Sequence, residues 1–370
     1  MNLEFSEDQK FVQHTAREFL AEHSGLEVCR GILESDRPYD ADLWKGVAEM
    51  GWLGAAVPEE YGGAGLGHLE LALIAWELGR ALAPIPFSSS VYLVTEALLL
   101  AGDPDQKKRY LPRLASGELI GTFALAEGLG DFDPAASGAT LRDGRVCGTK
   151  LPVPDGMAAG LALVVAREGS GHSLALVDLG GEGVRRQPLD SFDPSRPLAR
   201  IELQDAPAEV LGEAGKADGL IQRLLDRAAV LMGYEQIGGA ERALDITREF
   251  TLGRYAFGRP VASFQAVKHR LAEVFCRIQI ATSNAYYAAW ALSEDNDELP
   301  VAACSTRVAA SQAFALASEE MIQFHGGVGF TWEYDCHLFY RRAKALSHAL
   351  GTPSEWREKL VQRLEAREAA

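Results

Sequence analysis

The chain has 370 residues, 47% of them hydrophobic and 24% charged, which at about 150 residues per domain makes two to three folded domains and excludes a disordered chain or a small module. Thirty-six Lys and Arg against 52 Asp and Glu leave a net charge of -16, which repels phosphate backbones and anionic lipid at long range and excludes nucleic acid and membrane surfaces as natural partners. The five cysteines (Cys29, Cys147, Cys276, Cys304 and Cys336) are odd in number and widely spaced, with no CxxC pair or Cys/His cluster, so reduced structural thiols and no metal site are expected.

The first residues, MNLEFSEDQKFVQHTAREF, carry acids and helix formers where a signal peptide needs a basic start and an apolar core, and no apolar run approaches the roughly 18 to 20 residues of a membrane span. A cytoplasmic location is the expectation. From there to about residue 117 the apolar spacing is helical, as in Phe11-Val12, Phe19-Leu20 and Leu71-Ile74-Leu78. Ser6-Glu-Asp opens the first helix with a cap and acids, and Asp103-Pro104 starts another; Pro58-Glu-Glu-Tyr-Gly-Gly-Ala-Gly65 reads as a loop.

Between about residues 121 and 212 short β-type runs take over, such as Leu161-Ala-Leu-Val-Val165 and Ala199-Arg-Ile-Glu-Leu203, with Gly, Asp and Pro breaking them every ten residues or so. That spacing predicts an antiparallel barrel or sandwich, with Asp143-Gly144 as a hairpin turn. From about residue 216 the helical period returns in long Ala- and Leu-rich stretches that fit four or five helices, most economically as a bundle. The expected fold class is α+β: an N-terminal helical domain (1–120), a middle antiparallel β-barrel domain (121–215) and a C-terminal four-helix bundle (216–370).

Four motifs in this order carry a resemblance: the loop 58–65; Gln106-Lys-Lys-Arg-Tyr-Leu-Pro112 followed by Gly117-Glu118; Arg254-Tyr-Ala-Phe-Gly-Arg-Pro260 with Phe264-Gln265; and Gln323-Phe-His-Gly-Gly-Val-Gly-Phe330. Together they make the chain similar, across essentially its whole length, to the acyl-CoA dehydrogenase family of flavoproteins. The resemblance implies FAD-dependent α,β-desaturation of an acyl-CoA thioester, in which a carboxylate removes the α proton and the flavin takes the β hydrogen as hydride. It also implies an electron-transferring flavoprotein as acceptor, and an FAD lying across a subunit interface. One subunit of such a pair holds the flavin ring and its neighbour the diphosphate end.

The two halves of that site score differently. For the diphosphate half, Arg254 supplies a charged fork suited to phosphate, Phe257 an aromatic face, and Gln265, Gln323, Gly326 and Gly327 stand at the family's spacing. For the ring half, the family's Thr-Glu pair and its glycine- and serine-rich turn are replaced by Ala126-Glu127 and a stretch ending in Asp131-Phe132. The family's Trp-x-Thr is replaced by Pro152-Val-Pro154, and proline has neither a hydroxyl nor an amide donor.

The catalytic base is missing from both usual places: Leu350 stands at the C-terminal position and Ala228 at the alternative one on the first long helix of the bundle. The acids nearest to the second are Glu235, seven residues on and therefore on the same helical face, and Asp226. Each is either a relocated base or a structural acid.

Three readings follow. The chain is the non-catalytic subunit of an α2β2 heteromer resembling those of bacterial steroid side-chain degradation, completing the FAD site of a second acyl-CoA dehydrogenase subunit. Alternatively it is a self-sufficient homotetramer using Glu235 or Asp226, or an acyl-CoA-binding scaffold without redox chemistry. Among other residues, His325 either lines the cofactor groove or packs on backbone, Arg341-Arg342 with Lys344 read as a solvated helix face or as partners for acids of a neighbouring subunit, and Tyr286-Tyr287 with Trp290 as core or interface packing.

Overall fold

The computed structural model describes residues 5–128 and 133–368. Asp131 and Phe132, where the resemblance expects the flavin turn to be altered, lie outside the described residues.

Six helices build the first layer: α1 (Glu7–His23), α2 (Leu26–Leu33), α3 (Ala41–Glu49), α4 (His68–Arg80), α5 (Glu96–Ala101) and α6 (Pro104–Ala115). The starts of α1 and α6 were legible because their caps are local. Ser6 and Gln9 exchange side-chain-to-backbone hydrogen bonds at the start of α1, and Asp103 and Gln106 do the same at α6, satisfying N–H groups that a helix leaves unpaired. Between α4 and α5 the chain widens into a π-type helical segment, Ser88–Thr95, every residue of which is buried. Such widened turns re-aim side chains and often mark functional positions.

The middle domain contains β1 (Gly121–Ala124), β2 (Thr140–Arg142), β3 (Arg145–Pro154), β4 (Leu161–Glu168), β5 (Gly171–Asp178), β6 (Val184–Leu189), β7 (Leu198–Pro207) and β8 (Glu209–Leu211). The expected hairpin is present: Asp143 and Gly144 both have positive φ, and Arg142 pairs with Arg145. The expected closed antiparallel barrel is corrected. The strand path runs β6-β7-β3-β2-β4-β5-β8 with open ends, and β1 lies parallel to β4, Gly121 opposite Leu161. This makes an open mixed sheet. The β1–β4 pairing arises because β1 is fed from the helical layer and must run along a partner some forty residues ahead, a relation that strand spacing does not encode.

The C-terminal domain has three long helices, α7 (Asp218–Gly253), α8 (Gln265–Ser293) and α9 (Leu299–His325), followed by α10 (Cys336–His348) and α11 (Pro353–Glu368). The last two pack on α9, so five helices stand where a four-helix bundle was expected. Contact between α4 and α7 is backbone to backbone: a Cβ at Gly79 would run into the Glu235 carbonyl, and one at Gly238 into that of Trp76. Only glycine permits that approach. The first helical layer, the sheet and α7 therefore share one continuous apolar core.

Candidate functional site

A cavity of about 450 Å³ opens where the three layers meet. Its walls are largely apolar, formed by Leu93 and Phe123 from one side, Leu225 and Met232 of α7 from another, and Leu125 and Leu198 of the middle domain. Pro152 and Pro154 line it, as does Ala126, whose carbonyl accepts a hydrogen bond from the Leu151 N–H at 2.9 Å. The positions where a Trp, a hydroxyl and a Thr were missed in the sequence thus sit side by side on one wall. That wall offers no side-chain donor.

Leu350 also lines the cavity and is buried; the Trp356 indole donates to its carbonyl at 2.9 Å. An aliphatic side chain accordingly faces the cavity from the position where the resemblance places a catalytic glutamate. Ala228 is buried on α7.

The two candidate acids are both held by arginine. Glu235 accepts a hydrogen bond from Arg196 at 3.1 Å, with both side chains largely out of solvent (3% and 12% exposed). Burial is the main cause that pushes the Tyr92 phenol up, and the neighbouring Glu235 carboxylate adds to it. Asp226 faces the other way, forming a two-pronged pair with Arg363 of α11 at 2.9 Å per contact. Burial raises its pKa to about 6 even though Arg363 opposes the shift. Glu235 therefore stands behind an arginine that lines the cavity, and Asp226 stands against α11, outside the lining.

Sequence reasoning missed four polar groups that do line it: Arg196, Ser88, Ser89 and Asp155. Arg196, besides pairing with Glu235, donates to the Ser88 hydroxyl; Ser89 donates to the buried Asp155 carboxylate, whose pKa burial raises. The signal for Asp155 was the Pro154-Asp-Gly156 turn, since Asp155 adopts a positive φ that Asp tolerates. A turn reading does not say which way its carboxylate points.

Glu127, next to the altered Ala126, is tied up by a buried lysine. Lys150, with no side-chain exposure, donates to Glu127 at 2.7 Å, to Ser137 and to the Leu125 carbonyl. Burial would raise the Glu127 pKa, but Lys150 and the Ala139 N–H outweigh it and hold the group at about 2.

The remaining predicted residues gather at the far end of the helical domain. Arg254 caps α7, Gln265 opens α8, and Gln323, Gly326 and Gly327 close α9; all are exposed. The ends of α7 and α9 are joined by Phe250 stacked on His325 at 4.1 Å, while His325 is buried and hydrogen-bonded to the Met321 carbonyl at 2.7 Å. The packing reading of His325 matches this placement. The Arg254 guanidinium pairs with no carboxylate among the described residues, and nothing lies within 4 Å of where a Cβ on Gly326 or Gly327 would sit. Phe257 projects into solvent, 96% exposed. An unpaired guanidinium, an accessible glycine backbone and an exposed ring suit a nucleotide diphosphate. The cavity wall at Pro152-Val-Pro154 does not suit a flavin ring in the same way.

The solvated-face reading of Arg341-Arg342 is corrected for Arg342. Its guanidinium is buried, pairs with Asp193 at 2.7 Å and donates to Ser195 and the Leu82 carbonyl, tying α10 to the loop that carries Arg196. Among the described residues there is no group of three or more His, Cys, Asp or Glu side chains that would hold a metal, and no helix long and apolar enough to cross a membrane.

An open mixed sheet between two helical layers, with a cavity at their junction and an exposed cationic end on the C-terminal layer, is the architecture of one flavoenzyme class. Two family models match: the acyl-CoA dehydrogenase N-terminal domain over residues 6–118 and the C-terminal domain over residues 218–364. The chain is 34% identical to the acyl-CoA dehydrogenase IpdE2 of Mycobacterium tuberculosis, covering 97% of each protein. Among solved structures it is similar to a Tcur3481-Tcur3483 steroid ACAD variant (29% identity, TM-score 0.90, 98% of this chain and 99% of that one). It is likewise similar to the ChsE4-ChsE5 complex of M. tuberculosis (26% identity, TM-score 0.90, 99% of each). The chain belongs to the acyl-CoA dehydrogenase family.

Proposed function

We propose that this chain is the subunit of a heteromeric acyl-CoA dehydrogenase that supplies the diphosphate-binding half of an FAD site, while a companion subunit supplies the base and the ring-binding side chains. The observation that carries the reading is the pairing of Leu350 and Pro154 on the cavity wall with a free, exposed Arg254. One end of the chain keeps the chemistry for a nucleotide tail, and the other has Leu350 and Pro154 at the positions where the family carries its proton acceptor and hydroxyl. FAD, when bound, would supply the hydride acceptor. Arg254, Gln265, Gln323 and the backbone of Gly326 and Gly327 would hold its diphosphate end, with Phe257 against the adenosine. The similarity of the chain to a steroid ACAD and to a two-protein complex supports a polycyclic acyl-CoA as substrate and a second family member as partner. The electron acceptor in this reading is an electron-transferring flavoprotein.

The self-sufficient homotetramer needs Glu235 or Asp226 as base, and each would first have to leave its arginine. The test is to purify the chain alone and then co-expressed with a family member that carries the missing glutamate, and to record the flavin spectrum and acyl-CoA turnover of both. Flavin bound only by the complex is expected. One FAD per chain together with turnover by the chain alone overturns the proposal.

A further inference from the structure

On the cavity wall, Ser88, Ser89, Asp155 and Arg196 form a polar strip that no part of the proposed function uses; Ser191, Lys344, His348 and Thr352 also line the cavity. Ser88 and Ser89 begin the π-type segment and face the cavity side by side. Ser88 accepts from Arg196, and Ser89 donates to Asp155. The two pairs are adjacent through the backbone as well, because the Asp155 N–H donates to the carbonyl of Pro197, the residue after Arg196, at 2.8 Å. Arg196 spends one guanidinium nitrogen on Glu235 and the other on Ser88, each of which carries two hydrogens, so donor capacity remains on the cavity side.

We infer that Ser88, Arg196 and Asp155 form a subsite in this chain's own cavity for a neutral oxygen, an oxo or hydroxyl group, borne by the hydrocarbon part of an acyl-CoA. The inference deepens the acyl-CoA reading and rests on it. Three considerations select this ligand class. A purely hydrocarbon acyl group would press apolar surface against a guanidinium and a carboxyl, leaving the N–H groups that Arg196 does not spend on Glu235 and Ser88, and the Asp155 oxygen that does not accept from Ser89, without water. A site built to hydrogen-bond an oxygen rejects the analogue that lacks it. A carboxylate is disfavoured because Glu235 already neutralises Arg196, the lysine on the wall, Lys344, is already paired with Glu319 at 2.9 Å, and Asp155 faces the same space. An oxo oxygen accepts from Arg196, and a hydroxyl donates to Asp155 as well.

The test measures binding of the full chain by titration calorimetry with three thioesters of one skeleton: cyclohexylpropanoyl-CoA, its ring-oxo counterpart and its ring-carboxylate counterpart. The oxo thioester is expected to bind about tenfold or more tighter than the unsubstituted one, the increment of a charge-assisted hydrogen bond, and the ratio should fall toward one in Arg196→Gln, whose amide still serves Glu235. Because the wild-type ratio needs no variant, a misfolded substitution leaves the test intact. Equal affinity for the oxo and unsubstituted thioesters overturns the subsite while leaving the acyl-CoA reading standing. Tightest binding of the carboxylate overturns the neutral-oxygen assignment. Binding of none of the three overturns the subsite, while the acyl-CoA reading is tested separately by flavin binding and turnover of the complex.

Discussion

The rings of Phe250 and His325 stack at 4.1 Å, four residues before Arg254 and one before Gly326, so the ends of α7 and α9 are packed against each other there. Burial lowers the His325 pKa, opposed by the hydrogen bond to Met321, which leaves the ring neutral near pH 7. His325 therefore shapes this end of the domain without adding charge. Phe250→Ala is expected to lower flavin occupancy of the reconstituted complex while changing the unfolding free energy by only about 1 kcal/mol, the scale of one aromatic pair. Flavin absorbance per protein, read beside a denaturant titration, checks both.

Arg254 is exposed and bears no load in the fold. Arg254→Gln should leave the melting temperature of the isolated chain within about a degree and weaken FAD retention by the complex roughly 10- to 100-fold, as for a charged hydrogen bond to phosphate. Unchanged retention after dialysis would show that this end does not grip the diphosphate.

Glu235→Ala should destabilise the chain by about 3 kcal/mol, because it strands the Arg196 guanidinium in a buried site. In the heteromer, Glu235→Gln should retain turnover. Complete loss of turnover with the fold intact would instead identify Glu235 as a base.

Acid unfolding should be shaped by Glu96. Burial alone would raise its pKa, but His68 and Arg227 outweigh it and bring the group down to about 2 from 4.5. A carboxylate depressed in the folded state contributes stability above its unfolded pKa and loses it as pH falls, here between about 4.5 and 2. Glu96→Gln should flatten that limb of the stability curve. Asp226 has the opposite sign: raised from 3.8 to about 6, it favours the folded chain progressively as pH drops through that interval. Asp226→Asn should remove this contribution, seen as a smaller rise in midpoint denaturant concentration from pH 7 to 5.

Gly238→Ala should destabilise by at least about 1 to 3 kcal/mol despite alanine's higher helix propensity, since the added methyl collides with the α4 backbone at Trp76. A serine there should be worse. Circular dichroism melts rank the three.

Features set by neighbours in sequence were legible. The Ser6 and Asp103 caps, the Asp143-Gly144 hairpin and the long period of α7 each depend on a few adjacent residues. The residues at 254–265 and 323–327 were singled out by resemblance to a family, not by local physical chemistry. What escaped depends on distant partners: the parallel β1–β4 pairing that keeps the sheet open, the Arg196–Glu235 contact across 39 positions and the Arg363–Asp226 contact across 137. Asp155 was visible as a turn residue, yet its carboxylate became a cavity group only because Ser89 meets it from another layer.

Phe257 at 96% exposure, with Phe330 at 86% and Tyr255 at 65%, has a consequence for the cell that makes this polypeptide. Greasy rings on a lone copy invite clumping and quality-control proteolysis. Dosage must therefore match that of whatever shields them, and surplus molecules should be short-lived.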